Sequence, residues 1–135
     1  MNENITVKVR SPSGEVKECT IELSQSPPWK LVFSGMSLGR REFSGDDLFN
    51  ALIALRIELE GMGVQLLCSG ARIDVFPSAM SRQMGGARKA YVTRLKRPGL
   101  PADLVDIFDY SAPESVGSVA QQKAFHDKWF ASLRP

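Results

Sequence analysis

Chemistry in this chain would have to come from His126, from Cys19 and Cys68, from Asp103, Asp106 and Asp109, or from the basic residues between 82 and 97. A thiolate nucleophile needs a base within reach. His126 is the one histidine, set between Phe125 and Asp127, and a dyad with Cys68 can be drawn, but no spacing demands it. One histidine and two well-separated cysteines fall short of a zinc ligand set. The three aspartates recur every third residue, which suits a solvated face or an edge as well as a carboxylate-only metal site. Gly85-Gly86-Ala87-Arg88-Lys89 offers backbone amides and a lysine to an anion, yet it lacks the Gly-x4-Gly-Lys-Ser/Thr spacing of a phosphate loop and reads better as a helix stop. The residues therefore point to no catalytic group, no metal site and no cofactor, and the expectation is a protein that is not an enzyme.

Binding residues are easier to nominate. The stretch from Leu67 to Gly86 is long, mixed in polarity and rich in side chains that bond to backbone, the kind of loop on which binding residues sit. Arg72, Ser78, Ser81 and Arg82 from this stretch, with Arg88, Lys89 and Tyr91 just beyond it, are the candidate partner- or ligand-binding residues. The competing reading is a well-packed loop in which Met80 and Met84, four apart, fill gaps in the core and Arg72 pairs with Asp74 or a helix end. No acid lies between Asp74 and Asp103, whereas Arg82, Arg88, Lys89, Arg94, Lys96 and Arg97 all do; Asp103, Asp106, Asp109 and Glu114 follow. A basic block beside an acidic one can face itself or a partner. Tyr91 is its one aromatic, where single-stranded nucleic-acid grooves combine several stacking rings with positive charge. A small anion- or nucleic-acid-binding module built on segment 82–97 is the alternative function, and nucleic acid is not the expected partner. Trp29, Trp129 and Tyr91 are interface anchors or core residues.

These residues need elements to hold them. Ile5, Val7 and Val9 alternate with polar residues, Ser11-Pro12-Ser13-Gly14 turns the chain, and Cys19, Ile21 and Leu23 alternate again, the pattern of a β-hairpin with one buried face. Trp29, Leu31 and Phe33 give a third strand after Pro27-Pro28, and Arg40 to Phe43 a fourth or the lead-in to a helix. Ser44 and Asp47, bracketed by Phe43 and Leu48, read as a capping box and hydrophobic staple. Leu48, Leu52, Leu55, Leu59 and Met62 then form one face of an amphipathic helix that Gly61 or Gly63 can end. Val64 to Cys68, Ile73 to Phe76 and Lys89 to Leu95 read as strands, Ser78 to Met84 as one or two helical turns, and Leu104 to Phe108 as strand, turn or extended chain. Ser118 and Gln121 fit a second capping box, opening a closing helix with Phe125, Trp129 and Leu133 as its stripe. Strands first, then a helix, then mixed elements predict a single α+β domain over residues 1–135: a mainly antiparallel sheet of about five or six strands, one central amphipathic helix, and a C-terminal helix packed on it.

Composition fits this reading. With 135 residues, 43% hydrophobic and 24% charged, the chain is an ordinary globular one, and should bury roughly two-thirds of its unfolded surface without metal or disulfide support. The net charge of +2 selects no partner. Neither a signal-peptide core nor the roughly 18 apolar residues of a membrane span is present, so the expected location is the cytoplasm, with no membrane partner and with both cysteines as buried free thiols.

The stretch from Leu48 through Cys68-Ser69-Gly70-Ala71-Arg72 and Pro77-Ser78-Ala79-Met80-Ser81 to Lys89-Ala90-Tyr91 and the Gln121 to Trp129 helix resembles small bacterial proteins of polymorphic toxin loci. It is similar to immunity proteins of contact-dependent growth inhibition and related toxin systems. That resemblance implies a non-catalytic cytosolic protein whose partner is the C-terminal domain of a cognate toxin, which it binds and neutralises.

Overall fold

Nine residues of alternating polarity make the first strand, β1 (Asn2–Arg10), and nine more make β2 (Val16–Ser24), paired antiparallel from Asn2↔Ser24 to Arg10↔Val16. The computed structural model describes residues 2–135. Val7, Val9, Cys19, Ile21 and Leu23 are buried along one face of this hairpin, while Thr6, Lys8, Glu18 and Thr20 face solvent. The period of two thus places the apolar set on one side. β3 (Trp29–Ser34) and β4 (Arg40–Gly45) extend the meander. A two-residue strand, β5 (Gln65–Leu66), pairs with β1 on the far side, so the sheet order is β4-β3-β2-β1-β5.

Helix α1 (Leu48–Glu60) covers the buried face, with Leu48, Phe49, Leu52, Leu55 and Leu59 each at most 1% exposed. Its N-cap is Asp47, whose Oδ1 accepts from the Asn50 amide at 2.7 Å; Ser44, expected to cap, is the penultimate residue of β4. The reason is packing: a Cβ on Gly45 would stand 2.9 Å from the Ala51 nitrogen, so the strand runs straight up against the first helical turn and leaves Ser44 no place in it.

Beyond α1 the elements are short. β6 (Val75–Phe76), β7 (Lys89–Val92) and β8 (Leu104–Asp106) form a second antiparallel sheet, with α2 (Ala79–Gln83) between β6 and β7, and α3 (Val119–Ser132) closes the chain. The two sheets join through the chain between β5 and β6: Cys68 bridges Tyr110, and the Ser69 and Gly70 amides donate to the Asp109 and Ile107 carbonyls at 2.7 Å. One hydrophobic core runs through both, from Val7 and Phe33 to Ala90 and Ile107. The α+β architecture, the mainly antiparallel sheet, the central helix and the closing helix are those expected; the three-stranded sheet brings the described strands to eight. The Ser118 capping box is present, with Gln121 reaching back to the Ser118 amide at 2.9 Å. No helix among the described residues is long and apolar enough to cross a membrane.

Candidate functional site: an aromatic groove beside α3

Phe76 on β6, Tyr91 and Thr93 from β7 and its continuation, and His126, Trp129, Phe130 and Leu133 from α3 and its C-cap line one groove of about 310 Å3, with Pro77, Ser78 and Ala79 along its lip. It continues into a second hollow of about 400 Å3 that shares Phe76, His126 and Phe130. α3 is set over β6 by a ring stack: the His126 imidazole lies on Phe76 at 3.7 Å between centroids and 11° between planes, and Trp129 adjoins His126 at 5.8 Å. The Trp129 indole donates to the Arg97 carbonyl at 2.8 Å, and the Ser132 hydroxyl accepts from the Lys96 amide at 2.7 Å. The turn at residues 94–97 is therefore tied to the last turns of α3. Phe130, one residue off the predicted stripe, is left 60% exposed.

Burial lowers the proton affinity of His126, opposed by Asp127 and assisted by Lys123 and Arg82. Its Nδ1 is enclosed without a hydrogen-bond partner. A neutral imidazole stacked on phenyl suits such a place, because an imidazolium there would have an N–H donor with nothing to receive it. The Cys68 thiol is fully buried and is pushed up to about 11, chiefly by desolvation, so it is protonated at neutral pH. Cys19 and Cys68 are both free and buried, as expected. Among the described residues no three His, Cys, Asp or Glu side chains converge as metal ligands.

The seven nominated residues are distributed unevenly. Ser78 and Tyr91 meet at the groove. Ser78 is the N-cap of α2, its hydroxyl accepting from the Ser81 amide at 3.0 Å and donating to the Ser81 hydroxyl at 3.1 Å. Arg82 lies behind Phe76, over the rings of Phe76 and Phe49, and donates to Asp47 at 2.7 Å. Arg72 grips Asp74 through Nε and Nη2, both at 2.8 Å, one of the two packed-loop pairings the sequence allowed. Arg88 is held by Asp106 and by Glu3 from β1, and stacks over Phe108. Lys89 is exposed at the start of β7. Half of the basic block is thus engaged by carboxylates, since Arg94 also pairs, with Asp103 at 3.0 Å, while Lys89, Lys96 and Arg97 are exposed.

Met80 and Met84 fill no core gap: they are 69% and 73% exposed, on α2 and at its C-cap, and α2 has no buried residue. Of the two glycines that close the loop, Gly85 has open space around it and Gly86 makes room for a neighbour: a Cβ on Gly86 would stand 2.5 Å from the Trp29 ring, so Trp29 is a packing residue. Phe76, Phe130 and Leu133 are not among the candidate binding residues, and His126 enters the sequence reading only as a candidate base for Cys68. The i, i+4 spacing of His126 and Phe130 on the closing helix was visible, but their meeting with Phe76 depends on a sheet formed by chain far away in sequence. No protein-family model matches the chain, and no curated protein matches it significantly.

Proposed function

We propose that this chain is a non-catalytic, cytoplasmic binding protein of the immunity type, which holds the C-terminal domain of a cognate toxin on the face formed by α2 and α3. The observation that carries the reading is the groove itself: Phe76, Tyr91, Trp129, Phe130 and Leu133 border a concave surface, and α2, whose first residue lies on its lip, carries the exposed Met80 and ends at the exposed Met84. Aromatic rings anchor protein interfaces, and methionine adapts to an irregular partner surface. Lys96, Arg97, Lys128 and Arg134, in or beside α3, make no ion pair among the described residues. Such a collar favours a partner with an acidic rim, because complementary charge speeds encounter and rejects wrong partners.

The nucleic-acid alternative draws less support from the same groove. A base needs a free ring face to stack on. The face of Phe76 carries His126, and Gly99 packs so close to Tyr91 that a Cβ there would be 2.9 Å from its ring. Arg82, Arg88 and Arg94 are already engaged by carboxylates.

The test is co-purification of the tagged protein with the C-terminal domain of a large protein encoded beside it, with growth rescue in cells expressing that domain. A stable complex with rescue, weakened by Phe130→Ala, is expected; a folded protein that gives neither complex nor rescue defeats the proposal.

A further inference from the structure

A separate cavity of about 370 Å3 opens where the end of α1, β5 and the start of α3 meet, and it shares no lining residue with the groove. Val64, Leu66 and Val116 form apolar walls, and Arg56 and Glu60, one turn apart on α1, both border it. Arg56 is only 3% exposed. Its Nη1 donates to the Gly70 carbonyl and to Gln122 Oε1, and its Nη2 to the Gly117 carbonyl, so every acceptor is neutral. Nε makes no hydrogen bond among the described residues, and Nη2 makes only the one to Gly117. Arg72 uses this same pair of nitrogens to hold both oxygens of Asp74. A guanidinium this little exposed, bonded only to neutral acceptors, lacks a counter-charge at contact and has donor capacity to spare.

Glu60 does not fill the edge. Its Oε2 accepts from the Val119 amide at 2.9 Å, and it makes no ion pair with Arg56. One cavity thus offers a cationic fork and a carboxylate, apart from each other, with an apolar wall. A lone carboxylate entering it would meet Glu60, and a lone amine would meet Arg56. The complement is a small molecule that carries both charges.

We propose that this cavity binds a free α-amino acid with an aliphatic side chain, its carboxylate on the Nε and Nη2 edge of Arg56, its ammonium group on Glu60, and its side chain against Val64, Leu66 and Val116. The volume lies within the range of small-ligand sites. This site stands apart from the protein-binding reading and does not depend on it.

The protein alone is titrated with L-leucine, with L-leucinamide, which lacks the carboxylate, and with 4-methylpentanoate, which lacks the ammonium group, while the Arg56 Nε–H resonance is followed by NMR. Leucine should shift that resonance saturably, and each single-charge analogue should bind at least about tenfold more weakly, the cost of one charge-assisted contact. Glu60→Gln retains an oxygen for the Val119 amide and leaves Arg56 in place, so the fold is kept. It should weaken leucine about tenfold and bring 4-methylpentanoate level with it. No saturable shift with leucine up to the order of 50 mM, a weak limit for so small a ligand, overturns the proposal. So does equal binding of leucine and 4-methylpentanoate to the native protein, or unchanged leucine binding by the folded Glu60→Gln protein.

Discussion

The first 66 residues and the remainder are held together by different physics. In β1 to β5 and α1 the polar groups are satisfied by the sheet and helix ladders, and apolar side chains such as Phe33 and Leu52 fill the space between them. From Leu67 onward the strands are two to four residues long, and much of the backbone is satisfied by turn and loop bonds and by buried side chains instead. Gln122 shows the second mode most plainly. It is 1% exposed, the two hydrogens of its Nε2 are shared among the carbonyls of Gly70, Arg72 and Val75 at 2.8 to 2.9 Å, and its Oε1 accepts from Arg56 at 2.6 Å. It is the only buried residue of α3. Regular ladders spread stability over many equivalent bonds, whereas a hub concentrates it in one side chain.

That contrast can be broken from both sides. Phe33→Ala leaves a cavity in the sheet core and should cost about 3–5 kcal/mol, lowering the whole unfolding transition in urea. Gln122→Leu keeps the bulk but leaves Arg56 and three carbonyls short of partners, and should cost about 2–3 kcal/mol. Hydrogen exchange should then accelerate in residues 69–76 and α3 while β1 to β3 stay protected; uniform acceleration would contradict the hub.

The acid response should also divide the molecule. The His126 proton affinity is lowered in the folded state, so the unfolded chain binds a proton first as pH falls. The stabilising contribution is complete above the ordinary histidine value near 6.5 and is lost as pH drops below it. His126→Phe keeps a ring on Phe76 and should flatten the urea midpoint between about pH 6.5 and 5. A slope unchanged by this substitution would place the titration elsewhere.

The smallest effect on stability should come from the exposed methionines. Met80→Ser with Met84→Ser should alter unfolding by less than about 0.5 kcal/mol, yet weaken toxin-domain binding measured by calorimetry. Large destabilisation would mean that α2 packs as core after all.

Much of the first region was readable because its organising rule is local. Alternation along β1, β2 and β3 and the three-and-four spacing of Leu48, Leu52, Leu55 and Leu59 state which face is buried without reference to distant chain. Ser118 and Gln121 likewise reveal a helix start from four consecutive residues. The second region hides its logic. Arg56 is one of the few charged residues of α1 and reads as a solvent-facing charge, but it is buried because Gly70, Gly117 and Gln122, as many as 66 positions away, come to meet it. The groove was only half visible for the same reason: Tyr91 and Trp129 are aromatic and attract notice, whereas Phe76 and His126 matter through a stack that only the assembled sheet and helix create.

The Gln122 clasp also sets an order of events. Its partners lie 47 to 66 residues earlier in the chain, so closing it carries the loop entropy of a long-range contact, and α3 gains a buried anchor only once the 70–75 backbone has its final course. During synthesis α3 emerges after the elements that it packs against. A nascent chain halted before Gln122 therefore exposes both an unfinished Arg56 and the uncovered ring of Phe76, and the arrival of α3 is the step that seals them.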